Sequence, residues 1–194
     1  MALLKAPESL ATARLQLRRP QAADVEAVFR RYAADPKVTK YLTWPTHRSL
    51  AHTHAFLELS NAEWADWSAG AYLVFSRAEG TLLGGTGLSF ETATDAVTGY
   101  VLAQDAWGKG YATEALIAMV ELAATLGVKR LTAGCHPDNR ASQRVLDKGG
   151  FRQESREHRT SGFPNLALPE TQDILLYARI FSGGEVGIRG LAAP

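Results

Sequence analysis

The 194-residue chain is poor in cysteine and in charge imbalance. It has one cysteine, Cys135, and its 21 Lys and Arg nearly cancel 20 Asp and Glu, leaving a formal net charge of +1. A single cysteine excludes an intrachain disulfide framework and suits a reducing, cytoplasmic compartment. A net charge this small supplies no long-range field to gather nucleic acid or an anionic membrane, so any anion site has to be built locally. Long apolar runs are missing too. The greasiest stretch, 115–128, is too short to span a bilayer and contains Glu121. The opening M-A-L-L-K-A-P-E lacks the layout of a signal peptide. Internal repeats and low-complexity blocks are absent. What remains is ordinary globular composition, 46% hydrophobic and 21% charged. The length suits one domain with a sizeable core, expected over 1–181, followed by a Gly-rich, aperiodic tail at 182–194 that reads as a mobile end or a partner arm.

Periodicity orders the rest. R-L-Q-L-R at 14–18 alternates as a half-buried strand, and 22–34 places Val25, Val28, Phe29 and Tyr32 at helical spacing up to Asp35-Pro36. A second helix is expected over about 49–67. Strands are expected at 71–76 and 82–90 around a Glu79-Gly80 turn, with Gly84, Gly85 and Gly87 predicting a bulge in the second. A further strand, 97–103, leads into a helix that carries Ala112, Ala115, Leu116, Met119, Val120 and Ala123 on one face and stops at Gly127. A strand at 130–135, a short helix at 141–148 and a hairpin of 151–158 with 173–179 complete the series. Hairpin-linked strands with helices among them argue an α+β domain with a mixed sheet rather than strict βαβ alternation.

The helix after 97–103 begins unusually. Residues 107–115 read W-G-K-G-Y-A-T-E-A, so two glycines, Gly108 and Gly110, stand where Ser or Asp would normally cap the first unpaired N–H groups. Two readings fit. Asp105 folds back as an ordinary cap and the glycines make a tight turn, or the entry is kept bare for an anion attracted by the helix dipole. A phosphate loop of the Walker type requires Lys-Ser or Lys-Thr after the last glycine, and here Tyr111 follows. A dinucleotide fingerprint requires a third glycine at position 113, which is Thr, and an acidic residue ending the next strand, which ends in Cys135-His136.

Three segments together carry a family resemblance: G-Y-V-L-A at 99–103, W-G-K-G-Y-A-T-E-A at 107–115 and N-R-A-S-Q-R-V-L-D-K-G-G-F at 139–151. They resemble the GNAT superfamily of acyl-CoA-dependent N-acetyltransferases, especially the Rim-type branch that acetylates the N-termini of ribosomal proteins. R-L-Q-L-R-R-P and G-G-T-G-L at 84–88 extend the likeness upstream. It implies a mixed, mostly antiparallel sheet flanked by helices and splayed between the strands at about 97–103 and 130–135. It also implies acetyl-CoA as cosubstrate, no metal, a primary-amine acceptor, no nucleic acid and no membrane; a homodimer is compatible with it. The pyrophosphate would rest on backbone N–H groups of Gly108, Lys109, Gly110, Tyr111, Ala112 and Thr113, with the pantetheine arm against Leu102 and Ala103. Asn139 would hydrogen-bond that arm.

The same resemblance distributes the catalytic roles. Many relatives protonate the departing thiolate with a Tyr seven residues after the motif's Asn; here that position is Leu146. The Rim-type branch uses a Ser three residues after the Asn, which is Ser142, although a Ser there also suits a plain helix cap. A Glu often found two residues before the Gly-Tyr pair is Val97 here, and Glu91 is the nearest acidic candidate for a base. Lys109, Arg140 and Arg144 are candidates for cofactor phosphates or for plain solvent. His47, His52 and His54 do not share one helix face and are not expected to bind metal. Cys135 and His136, adjacent on a strand, point to opposite faces. The leading acceptor is a protein N-terminus. A small amine (a polyamine, an amino acid or an antibiotic) and a non-catalytic CoA sensor are the alternatives.

Overall fold

A computed structural model describes residues 5–67, 69–159, 162–166 and 172–181. The expected tail at 182–194 lies outside the described residues. The elements are β1 (Ser9–Ala11), β2 (Leu15–Arg18), α1 (Val25–Val28), α2 (Pro36–Thr39), α3 (Leu50–Asp66), β3 (Ala71–Ser76), β4 (Leu82–Phe90), β5 (Asp95–Leu102), α4 (Tyr111–Thr125), β6 (Arg130–Cys135), α5 (Arg140–Lys148), β7 (Arg152–Arg159) and β8 (Gln172–Ile180). The strands form one sheet in the order β1-β2-β3-β4-β5-β6-β8-β7. Every pairing is antiparallel except β5 with β6. This is the mixed α+β architecture expected.

Two departures have clear physical causes. The helix expected over 22–34 is split into a 3₁₀ turn (Ala22–Asp24), α1, and a π-helical turn (Phe29–Ala33) in which the Ala34 N–H donates to Phe29 O. The wider turn brings Val28, Tyr32 and Ala33 all to the sheet, where each is essentially fully buried. The second departure is β1, an edge strand of three residues too short to show any period. The bulge expected in β4 is present: Val74 faces Gly84 but Phe75 faces Leu82, so Leu83 is the extra residue.

Successive residues of β5 feed opposite faces of the sheet. Ala96 and Leu102 join the larger core with α4, while Val101 packs with Val28, Tyr32, Leu57 and Leu73 under α1 and α3. Leu116 and Met119 of α4 are fully buried, each worth roughly 1.5–3 kcal/mol of transfer free energy. The feature that positions the site is the parallel pair. Asp95, Ala96 and Val97 pair with Arg130, Leu131 and Thr132, and there the pairing stops. From Thr98 onward β5 and β6 diverge, and the N-terminus of α4 stands beyond the open end of the gap.

Candidate active site

The entry to α4 is bare. Gly108 and Gly110 both have left-handed backbones, with φ of 73° and 81°, and Gly110 is the N-cap with no side-chain hydrogen bond to the helix. Asp105 does not fold back as a cap. Its carboxylate takes both guanidinium nitrogens of Arg31, at 3.0 and 2.9 Å, on the opposite side of the turn. The N–H groups of Tyr111, Ala112 and Thr113, which have no acceptor within the helix, are therefore left to an outside partner. A Cβ at Gly108 would have no atom within 4 Å, so the glycine leaves open space there.

The turn itself is braced from behind. The Glu114 carboxylate accepts from Thr12 Oγ1 at 2.6 Å, from the Arg14 backbone N–H at 2.8 Å and from Arg14 Nε at 2.7 Å. Arg14 in turn donates to Lys109 O at 2.9 Å and lies over the Tyr111 ring. The Lys109 side chain is exposed; its carbonyl is what the structure uses.

Between the diverging strands, backbone polarity follows from the register of β4 with β5. Glu91 N–H donates to Asp95 O and Ala103 N–H donates to Leu83 O at 2.8 Å, so the odd-numbered residues of β5 bond to β4. The even-numbered ones alternate away from it. Beyond the last β6 pair, Tyr100 and Leu102 thus turn their N–H groups into the gap, while Leu102 O is taken by Trp107 Nε1 at 2.8 Å. Of the two residues expected to present backbone here, Leu102 does so. Ala103 does not, because the ladder has turned its N–H to Leu83.

Across the gap, Asn139 caps α5: its Oδ1 accepts from Ser142 N–H at 3.1 Å. Ser142 sits inside the first turn, so capping does not explain it. Its hydroxyl lies 2.9 Å from Tyr100 Oη, which also donates to Ser142 O at 3.1 Å. Burial pushes the Tyr100 phenol well above its ordinary range, with the Ser142 hydrogen bond pulling the other way. Cys135 lies in the same cluster, and burial pushes its thiol up to about 11. The sequence assigns no role to the Tyr100 hydroxyl: G-Y-V-L-A carries the family resemblance and a strand, and neither points that hydroxyl at Ser142.

Of the remaining candidates, Glu91 is exposed just past the end of β4, two residues beyond the Ser89–Val97 pair; it lines the cleft and makes no hydrogen bond to Ser142 or Tyr100. Arg140 and Arg144 are exposed at the cleft. His47 is buried with Nδ1 2.8 Å from Thr53 Oγ1, His52 Nδ1 accepts from Arg48 N–H, and His54 faces Glu58. His47 and His52 do approach as rings, 6.4 Å between centroids, because His47 precedes α3 and folds back over it. Among the described residues no group of three or more His, Cys, Asp and Glu could hold a metal. Cys135 faces the core, while His136 stacks on Tyr41 and meets Phe163 edge-on. Of the tryptophans, Trp64 is core, Trp67 stacks on Phe90, and Trp44 lines the cleft.

Residues 14–152 match the model of the Acetyltransferase (GNAT) domain. The chain belongs to the GNAT acetyltransferase family. As a GNAT member it is an acetyl-CoA-dependent N-acetyltransferase. Uncharacterized N-acetyltransferase p20 of Bacillus licheniformis is 27% identical over 150 residues, covering 76% of this chain and 84% of that protein. The crystal structure of a GNAT-family acetyltransferase from Bacillus anthracis superposes with a TM-score of 0.76 at 26% identity, over 89% of this chain and 98% of that one. RimL, a ribosomal L7/L12 alpha-N-protein acetyltransferase in complex with coenzyme A, shares the fold with a TM-score of 0.78 at 22% identity, over 89% and 98% of the two chains. Within this GNAT fold, Leu146 is 1% exposed in the core, so α5 brings no tyrosine to the gap; the tyrosine hydroxyl comes from β5 instead. No helix among the described residues is long and apolar enough to cross a membrane.

Proposed function

We propose that the gap between β5 and β6 takes acetyl-CoA and that the acceptor is a protein N-terminal α-amine. The observation that carries this reading is the uncapped, left-handed glycine entry to α4 at the mouth of the gap. The Tyr111, Ala112 and Thr113 N–H groups suit the pyrophosphate, and the Tyr100 and Leu102 N–H groups suit the pantetheine arm and the thioester carbonyl, whose oxygen gains negative charge during attack. Ser142 gives its proton to the leaving thiolate, and the Tyr100 O–H turns from Ser142 O to donate a hydrogen bond to Ser142 Oγ until a proton arriving through water restores that hydroxyl. Burial keeps the Tyr100 phenol protonated and able to make that bond.

The acceptor enters from the sheet face under α1, α2 and α3. There Tyr41, Trp44 and the 72%-exposed Leu59 wall the cleft, together with Lys37 and Lys40. Glu63 and Glu91 line the cleft beside these lysines, so its charge alone does not sort amines; the apolar wall favours a peptide, which brings one ammonium and a chain to lay along it. An α-amine has a pKa of about 7.7–8.0, so roughly a tenth is already neutral at pH 7 and the demand on a base is small.

Release of free thiol from acetyl-CoA tests the reading over a panel: peptides with free N-termini, the same peptides blocked by acetylation, a polyamine, amino acids and an aminoglycoside. Turnover of free but not blocked peptides is expected, unchanged by EDTA. Turnover confined to small amines overturns the acceptor assignment. Tight acetyl-CoA binding with no turnover on any amine makes the protein a sensor.

A further inference from the structure

The described cleft has no carboxylate on β5 at the point where the strands part: the residue there is Val97. An acid is nonetheless held over that point by another element. Ser89 of β4 is directly opposite Val97, and opposed residues of an antiparallel pair project from the same face. The Ser89 hydroxyl donates to Glu63 Oε1 at 3.0 Å. Glu63 is in the last turn of α3, half-buried, and lines the cleft. Among the described residues its other oxygen has no hydrogen bond or ion pair. Next along the same face is Gly99, where a Cβ would meet nothing within 4 Å. A fixed carboxylate with one free oxygen therefore overlooks open space beside the last β5–β6 pair, on the sheet face opposite the one that carries Tyr100.

We infer that Glu63 receives the acceptor's ammonium and takes its first proton. This rests on the acetyltransferase reading above and names the residue that handles the amine. The Ser89 hydroxyl holds Oε1 in place and leaves the other carboxylate oxygen open to a cation. In the full step the ammonium gives one proton to Glu63, directly or through one water. The amine nitrogen then bonds to the thioester carbon as the C–S bond breaks, and sulfur leaves with the proton from Ser142. The nitrogen sheds its second proton through water as the amide forms, and that proton restores the Ser142 hydroxyl. Two protons leave nitrogen; one replaces the proton that Ser142 gave to sulfur, and Glu63 releases the other to solvent at each turnover. Glu63 and Ser142 thus work from opposite faces of the sheet.

The test uses whichever primary amine of the panel is turned over, so failure of the peptide assignment does not remove it. Glu63→Gln is expected to lower kcat/KM for the amine ten- to a hundredfold at pH 7, chiefly through the amine KM, with the acetyl-CoA KM and the melting temperature near wild type. The deficit should shrink as pH rises above the amine's pKa, because a neutral amine needs neither the ion pair nor the proton acceptor. Glu63→Asp, which keeps the charge, should recover part of the loss. Ser89→Ala should show a weaker version of the same profile. A Glu63→Gln enzyme with wild-type kcat/KM at pH 7 overturns the inference, as does a loss that is constant with pH. If no amine is turned over by the wild-type protein, this inference and the reading beneath it fall together.

Discussion

Tyr100 and Ser142 join the two sides of the gap: the phenol oxygen of a β5 residue lies 2.9 Å from the hydroxyl of an α5 residue, where the strands behind them no longer touch. If the pair passes a proton to the departing thiolate, each member loses its effect once the other is gone. Ser142→Ala and Tyr100→Phe should each lower kcat about ten- to a hundredfold with little change in the acetyl-CoA KM, and the double variant should be scarcely worse than either. Steady-state kinetics of the three variants decide this; fully multiplicative losses would separate the two roles.

Capping at α5 belongs to Asn139, and stability should follow it. Asn139→Ala should destabilise the fold by about 1 kcal/mol in a denaturant melt. Ser142→Ala, inside the first turn, should leave the midpoint nearly unmoved. An equal loss in Ser142→Ala would return that hydroxyl to a structural role.

The two glycines before α4 predict different outcomes when each becomes Asn, a residue that tolerates the left-handed backbone. At Gly108 the new side chain enters open space, so the melt should stay within a few degrees while acetyl-CoA affinity drops at least tenfold. At Gly110 the new Cβ makes an ordinary contact with Arg14 Nη2 at 3.4 Å, but the rest of the Asn side chain stands at the N-cap itself and can take the helix N–H groups, so affinity should fall while stability holds or rises. Calorimetric titration beside a thermal melt checks the pair, and normal binding by Gly108→Asn would reduce the motif to a turn.

The brace behind that turn is pH-sensitive. Burial opposes ionisation of Glu114, but its bonds from Thr12 and Arg14 win and hold its pKa below the ordinary 4.5. A folded-state pKa below the unfolded one means that the unfolded chain takes up the proton first. The brace's contribution is present above about pH 4.5 and disappears as pH falls through the lower folded value. Wild type minus Glu114→Gln stability should therefore be constant from pH 7 to 5 and shrink below that. A difference that persists at pH 3 would show the contribution to be packing rather than charge.

Cys135 should be chemically quiet. With its thiol pushed up to about 11 and its side chain buried, alkylation by iodoacetamide at pH 8 should be far slower in the native protein than in denaturant. Labelling at the denatured rate would show that the cluster around Ser142 opens readily.

Much of this architecture was legible because local pattern and tertiary role agree. β3 and β4 fall where alternation and the Glu79-Gly80 turn place them, and Gly108, Gly110 and Asn139 occupy the helix entries that their chemistry favours. What escaped depends on register or on distance along the chain. The direction of the Ala103 N–H is decided by its partner in β4, which no property of residue 103 reveals. The arrival of Tyr100 at Ser142 spans 42 positions, and that of Glu63 at Ser89 spans 26. β1 and the π-helical turn were hidden because each is shorter than the period needed to recognise it.

The three rungs that tie β5 to β6 divide the sheet into a five-strand panel and a three-strand panel meeting at a seam. Anything lodged in the seam and bonded to both panels acts as a missing rung. A ligand there is therefore also a tie-beam, and occupancy should stiffen the whole sheet, so that amides of β5 and β6 far from any contact exchange more slowly with solvent when the seam is filled.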